Sequence, residues 1–60
     1  MTQALEKILV EETQTVAEYL SSRMLRASMI SVLRDGRKLG LNEEIREGEN
    51  IVLLPMIAGG

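Results

Sequence analysis

Ile51-Val52-Leu53-Leu54 is an unbroken apolar run, closed by Pro55. Apolar and polar residues do not alternate in it. An extended segment of this kind is central to a sheet or buried on both faces. Proline has no N–H to give a ladder, so pairing through its own nitrogen ends there. The chain has 60 residues, which is room for one domain. The other elements must therefore be arranged around this strand. A chain so short buries only about 60% of the surface its unfolded form exposes. It depends on a well-formed fold, or on help from a disulfide, a metal or a partner.

The clearest local signal lies upstream. Thr15-Val16-Ala17-Glu18 fits a capping box, with Thr at the N-cap and Glu three residues on. Val16, Leu20 and Met24 recur at helical spacing, flanked by Ala17 and Tyr19, which predicts a helix over 16–26 with these three in the core. Met29-Ile30-Ser31-Val32-Leu33 reads as a strand. Asp35-Gly36 comes next, a strong signal for a two-residue hairpin, since both central positions of a type I′ turn need positive φ. Arg37-Lys38-Leu39 is then the returning strand, ending at Gly40. Leu41-Asn42-Glu43-Glu44-Ile45 is a loop or single helical turn with Leu41 and Ile45 inward. Glu47-Gly48-Glu49-Asn50 is a polar turn. Leu5 and Ile8-Leu9-Val10 suggest extended chain. A hairpin of 1–5 with 8–12 would fit, although no Gly, Asn or Pro marks its turn. A helix over Ala4–Leu9 is the alternative. Strands on either side of one helix make a two-layer α+β domain.

Composition excludes more chemistry than it offers. There is no cysteine and no histidine. Disulfides, thiolate nucleophiles, imidazole bases and the usual zinc, copper and haem sites are gone together. Net charge is −2 and Tyr19 is the single aromatic, a poor basis for nucleic-acid binding. No apolar run approaches the roughly 20 residues of a membrane span, and no signal peptide is apparent. A cytoplasmic protein is the expectation. Charge is zoned: residues 1–22 sum to −3, 23–38 to +4 and 39–60 to −3, a polarity suited to steering a protein partner. Glu11 and Glu12 are adjacent, so in a strand they point to opposite faces and do not pair. Glu43, Glu44, Glu47 and Glu49 read as a solvent-facing run, and no metal site is expected. The segment from Gly36 to Gly40 lacks the phosphate-loop pattern.

There remains the C-terminus, Ile57-Ala58-Gly59-Gly60. At about 7% glycine usage, a terminal Gly-Gly arises by chance on the order of once in 200 chains. A frayed tail is the simple reading. Its setting adds weight, because side chains shrink from Ile to Ala to Gly directly after the apolar strand. Residues 56–60 reach at most about 17 Å. Such a tail threads a carboxylate into a narrow site where a Cβ would clash. The division expected is a domain over 1–55 and a flexible tail over 56–60.

The close, from Glu47 through Gly48, the Ile51–Leu54 strand and Pro55 to Gly59-Gly60, resembles that of the ThiS/MoaD sulfur-carrier proteins. Thr15-Val16-Ala17-Glu18-Tyr19-Leu20 resembles the family's helix start, and Leu33-Arg34-Asp35-Gly36 its hairpin. The resemblance covers about residues 13–60. It implies a β-grasp, ubiquitin-like fold: a mixed sheet of four to five strands with one helix across one face. It also implies a carrier rather than an enzyme, or the small subunit of a synthase. A ubiquitin-activating-type enzyme adenylates the terminal glycine with ATP, the carrier itself binding no cofactor. A sulfurtransferase or cysteine desulfurase then supplies sulfur. The resulting thiocarboxylate is passed to an acceptor synthase of thiamine thiazole or molybdopterin formation, or to tRNA thiolation. Carried over, the reacting carbon is that of Gly60, and Gly59, Ala58 and Ile57 thread the partner.

The chemistry of the residues agrees. A free α-carboxyl has a pKa of about 3.3–3.7 and is ionised and inert at neutral pH, so activation must come from outside. Leu39, Leu54 and Met56 are the residues expected to dock the partner, the two leucines being equally readable as core. The chain departs from the family in its first hairpin, shorter by some two to four residues. Pairing over 1–12 is therefore expected to be irregular or intermolecular. Met56 stands where molybdopterin-type members often carry a second Pro. Length favours the thiamine type, while Leu54-Pro55 favours the molybdopterin type. Two other functions fit the same tail: a protein modifier joined to lysines through Gly60, and a small interaction module whose tail is incidental.

Overall fold

The structure is a computed structural model and describes residues 5–55. In chain order it contains β1 (Glu6–Leu9), β2 (Gln14–Thr15), α1 (Val16–Ser22), a 3-10 turn (Ala27–Met29), β3 (Ile30–Arg34), β4 (Arg37–Lys38), β5 (Glu44–Ile45) and β6 (Asn50–Pro55). The apolar run is the strand the sheet is built on. The order is β1-β6-β3-β4, so β6 is paired on both sides. Glu6 faces Leu53 and Ile8 faces Ile51 on one side, and Val32 faces Leu53 and Ile30 faces Pro55 on the other. The three pairings described in this sheet are all antiparallel. β2 and β5 form a separate two-stranded ladder, Gln14 facing Ile45.

One helix lies across one face, giving the α+β, β-grasp architecture. Val16, Tyr19 and Leu20 of α1 are buried together with Val10, Val32, Leu39, Ile45, Ile51 and Leu53. Alternation along β6 sends Ile51 and Leu53 toward the helix and Val52 and Leu54 to the opposite face. The unbroken run therefore reflects a central strand that is fully buried on one side and half-buried on the other.

The capping box is present. Glu18 N–H donates to Thr15 Oγ1 at 3.1 Å, and Thr15 N–H donates to Glu18 Oε1 at 2.9 Å. The helix ends at Ser22, not at 26. Met24 takes φ +58. Its N–H donates to Ser21 O at 3.0 Å, while Leu25 N–H donates to Leu20 O at 2.9 Å. This is a Schellman closure with methionine in the left-handed position usually held by glycine. The expectation that Met24 is core is thereby corrected: it is 92% exposed, and Leu25 packs against the core instead. A second correction concerns Leu41, which is half-exposed, whereas Ile45 is fully buried. Residues 44–45 are a short strand rather than a helical turn.

The hairpin agrees with the sequence. Asp35 and Gly36 have φ +55 and +78, and Arg34 faces Arg37, as a type I′ turn requires. Among the described residues, β1 is a single strand on the edge of the sheet. Residues 10–12 carry no strand, so no hairpin forms within the described part of 1–12.

Candidate functional site

The site expected from sequence is the end of β6 together with residues 56–60. Met56, Ile57, Ala58, Gly59 and Gly60 lie outside the described residues, as does the expected boundary of a tail over 56–60. Pro55, the base of that segment, is the last residue of the central strand and faces Ile30.

Around that base, the face of the sheet turned away from α1 carries a row across all four strands. Lys7 faces Val52, Val52 faces Leu33, and Leu33 faces Lys38. Two half-buried apolar side chains are thus flanked by two lysines. Leu54 sits one step nearer the chain end, half-buried beside Ser31. An apolar centre with a cationic rim suits docking of a protein surface that is apolar with an acidic border. Leu54, expected to dock the partner, is half-buried on this outer face. Leu39 is not: it is 4% exposed and part of the core. Of the two readings open for it, core is the one realised, because Leu39 N–H donates to Val32 O at 2.8 Å and the chain beyond β4 is drawn in under the helix.

Sequence reasoning missed Val52, Leu33, Lys7 and Lys38. A signal existed for two of them. A two-residue turn at Asp35-Gly36 sets Leu33 opposite Lys38. The pairing of β6 with β1 and β3 had no local signal.

Nothing among the described residues forms a catalytic constellation. Glu11 and Glu12 are exposed and lie outside any strand. The Tyr19 hydroxyl is held by Arg23, whose Nη1 donates to it. No group of three or more potential metal ligands is found among the described residues, and none of their helices is long and apolar enough to cross a membrane. The described part offers a sheet whose central strand carries the base of the terminal segment.

No curated protein and no solved structure matches the chain. The ThiS family model matches residues 1–60. That match spans the whole chain and coincides with the capping box, the Asp-Gly hairpin and the central last strand, so this protein belongs to the ThiS family of ubiquitin-like sulfur carriers.

Proposed function

We propose that the chain carries sulfur as a thiocarboxylate on Gly60. The observation that carries the reading is the continuity of the central strand β6, ending at Pro55, with a terminal segment that shrinks to Gly59-Gly60. Membership of the ThiS family supports it. A ubiquitin-activating-type enzyme transfers the Gly60 carboxylate onto the α-phosphorus of ATP and releases pyrophosphate. The terminal sulfur of a persulfide on a sulfurtransferase or cysteine desulfurase displaces AMP. A further thiol, supplied from outside since the chain has no cysteine, then cleaves the acyl disulfide, forming a disulfide with the donor's sulfur and leaving the thiocarboxylate on Gly60. The acceptor synthase then takes the sulfur, in thiamine thiazole or molybdopterin formation or in tRNA thiolation, within the cytoplasm. The chain contributes presentation: the sheet holds the strand, and Ile57, Ala58 and Gly59 pass through the partner's channel. Met56 and Leu54 contact the partner beside the Val52–Leu33 row.

The test is exchange of labelled pyrophosphate into ATP by a cognate activating enzyme. Exchange is expected with the full chain and is lost when Gly60 is deleted, with the melting temperature unchanged. Persistence of exchange without Gly60 would refute the proposal. Mass spectrometry of the protein from its native cell distinguishes the carrier from a modifier. A mass gain equal to oxygen-to-sulfur replacement marks the thiocarboxylate, whereas isopeptide-linked larger species mark conjugation.

A further inference from the structure

Among the described residues, β1 pairs with β6 on one side only. Val10 N–H donates to Glu49 O at 2.8 Å, which extends the β1–β6 register by one residue. Ladder bonds in an antiparallel pair fall on alternate residues. Glu6 and Ile8 therefore spend their backbone groups on β6, and Lys7 and Leu9 turn theirs toward the open edge. Leu9 is 61% exposed. Beside this edge lies a cleft of about 610 Å³, lined among others by Lys7, Leu9, Glu12, Gln14, Tyr19 and Arg23. Tyr19 and Ser22 of α1 line this cleft together with Lys7 and Leu9 of β1, so one more strand added to β1 would enter it.

Charge identifies the kind of segment that fits. Arg23 is already bound to Glu6 at 3.5 Å. Glu11 and Glu12, at one mouth of the cleft, have no ion-pair partner among the described residues. Lys7 sits toward the other end. An added strand is thus favoured with a cationic residue at the Glu11–Glu12 end. Residues 1–5 contain no Gly, Asn or Pro to turn the chain back on itself, which disfavours the chain's own start as the occupant.

We propose that this cleft accepts an extended, cationic segment of a partner protein, added to β1 as a further strand. Main-chain bonds to Lys7 and Leu9 supply affinity, and Glu11 and Glu12 supply charge selectivity. The surface adjoins the Val52–Leu33 face through Lys7 and does not depend on the chemistry at Gly60.

The experiment uses the full chain, labelled with nitrogen-15, and two synthetic peptides. One is acetyl-Thr-Val-Arg-Val-Lys-Val-amide, and in the other both cations are replaced by Glu. The basic peptide is expected to shift the Lys7 and Leu9 amides and slow their hydrogen exchange, leaving Ile8 unchanged, and to bind at least tenfold more tightly than the acidic one. The double variant Glu11→Lys/Glu12→Lys, which touches only exposed side chains, is expected to reverse that preference. Leu9→Pro, which removes an edge-facing N–H, is expected to abolish binding. The proposal is overturned by equal binding of the two peptides, by shifts confined to the β4 edge, or by no shift at millimolar peptide. It is equally overturned if Lys7 and Leu9 are already protected in the free protein. Concentration-dependent protection would assign the edge to a second copy, and concentration-independent protection to residues 1–4.

Discussion

Arg34 Nη1 lies 3.1 Å from Glu49 Oε1. The same nitrogen donates to the Glu44 carbonyl at 3.0 Å. One side chain therefore joins the end of β3 to both β5 and the turn that launches β6. Glu49 Oε1 also accepts the Arg46 N–H at 2.8 Å. The Arg46 amide is the main reason that the Glu49 carboxyl titrates below its ordinary 4.5, and the Arg34 guanidinium adds to it against partial desolvation. A carboxylate whose pKa is depressed in the folded state stabilises the fold above its unfolded pKa. That contribution fades as pH falls through the folded value. Below about pH 4.5 the Tm of the native chain should drop more steeply than that of Glu49→Gln, while at pH 7 the variant should be the less stable of the two. Thermal melts from pH 3 to 7 read this, and parallel curves would mean that Glu49 contributes no pH-dependent stability.

Met24 occupies a left-handed position that costs an L-residue about 1 kcal/mol or more. Its side chain is 92% exposed, so little packing is lost on removing it. Met24→Gly should raise stability by about 0.5–1 kcal/mol, the gain being reduced by glycine's freedom in the unfolded chain. A higher urea midpoint with an unchanged m-value is the expected reading.

Gly36 has φ +78, and a Cβ built there would meet nothing within 4 Å. The penalty of Gly36→Ala is then purely conformational, about 1–2 kcal/mol. The urea midpoint should fall by that amount with the hairpin register of Leu33 and Lys38 retained in nuclear Overhauser contacts.

Ile51 is fully buried in the central strand. Truncation to Ala in such a site costs about 2–5 kcal/mol. A 60-residue domain has on the order of 3–9 kcal/mol in total. Ile51→Ala should leave much of the population unfolded at 25 °C by circular dichroism. Leu9→Ala, on an exposed edge residue, should shift the midpoint by less than about 0.5 kcal/mol.

Leu54 and Leu39 should separate docking from folding. Leu54→Asp places a charge on the half-buried outer face and is expected to raise the KM for pyrophosphate exchange at least tenfold while the fold persists. Leu39→Ala should cost about 2–5 kcal/mol of stability and leave the KM of the folded fraction unchanged. The two constants and a melt for each variant decide the assignment.

Local signals were sufficient for several parts of this protein. The Thr15–Glu18 capping box, the Asp35-Gly36 turn and the central place of Ile51–Leu54 all rest on residues within a few positions of each other, where φ preference, a side-chain cap or an apolar run acts unaided. The tertiary structure alone decided where α1 stops, because Leu25 packs on the core only if Met24 accepts a left-handed φ. It alone decided that residues 44–45 pair with 14–15, since a two-residue ladder has no propensity signal and exists only because Ile45 is pulled into the core. It also placed β1 antiparallel beside β6, packing Ile8 against the core and leaving Leu9 outside. Strand partners are chosen by shared burial across some forty residues of chain, a quantity that no short window of sequence contains.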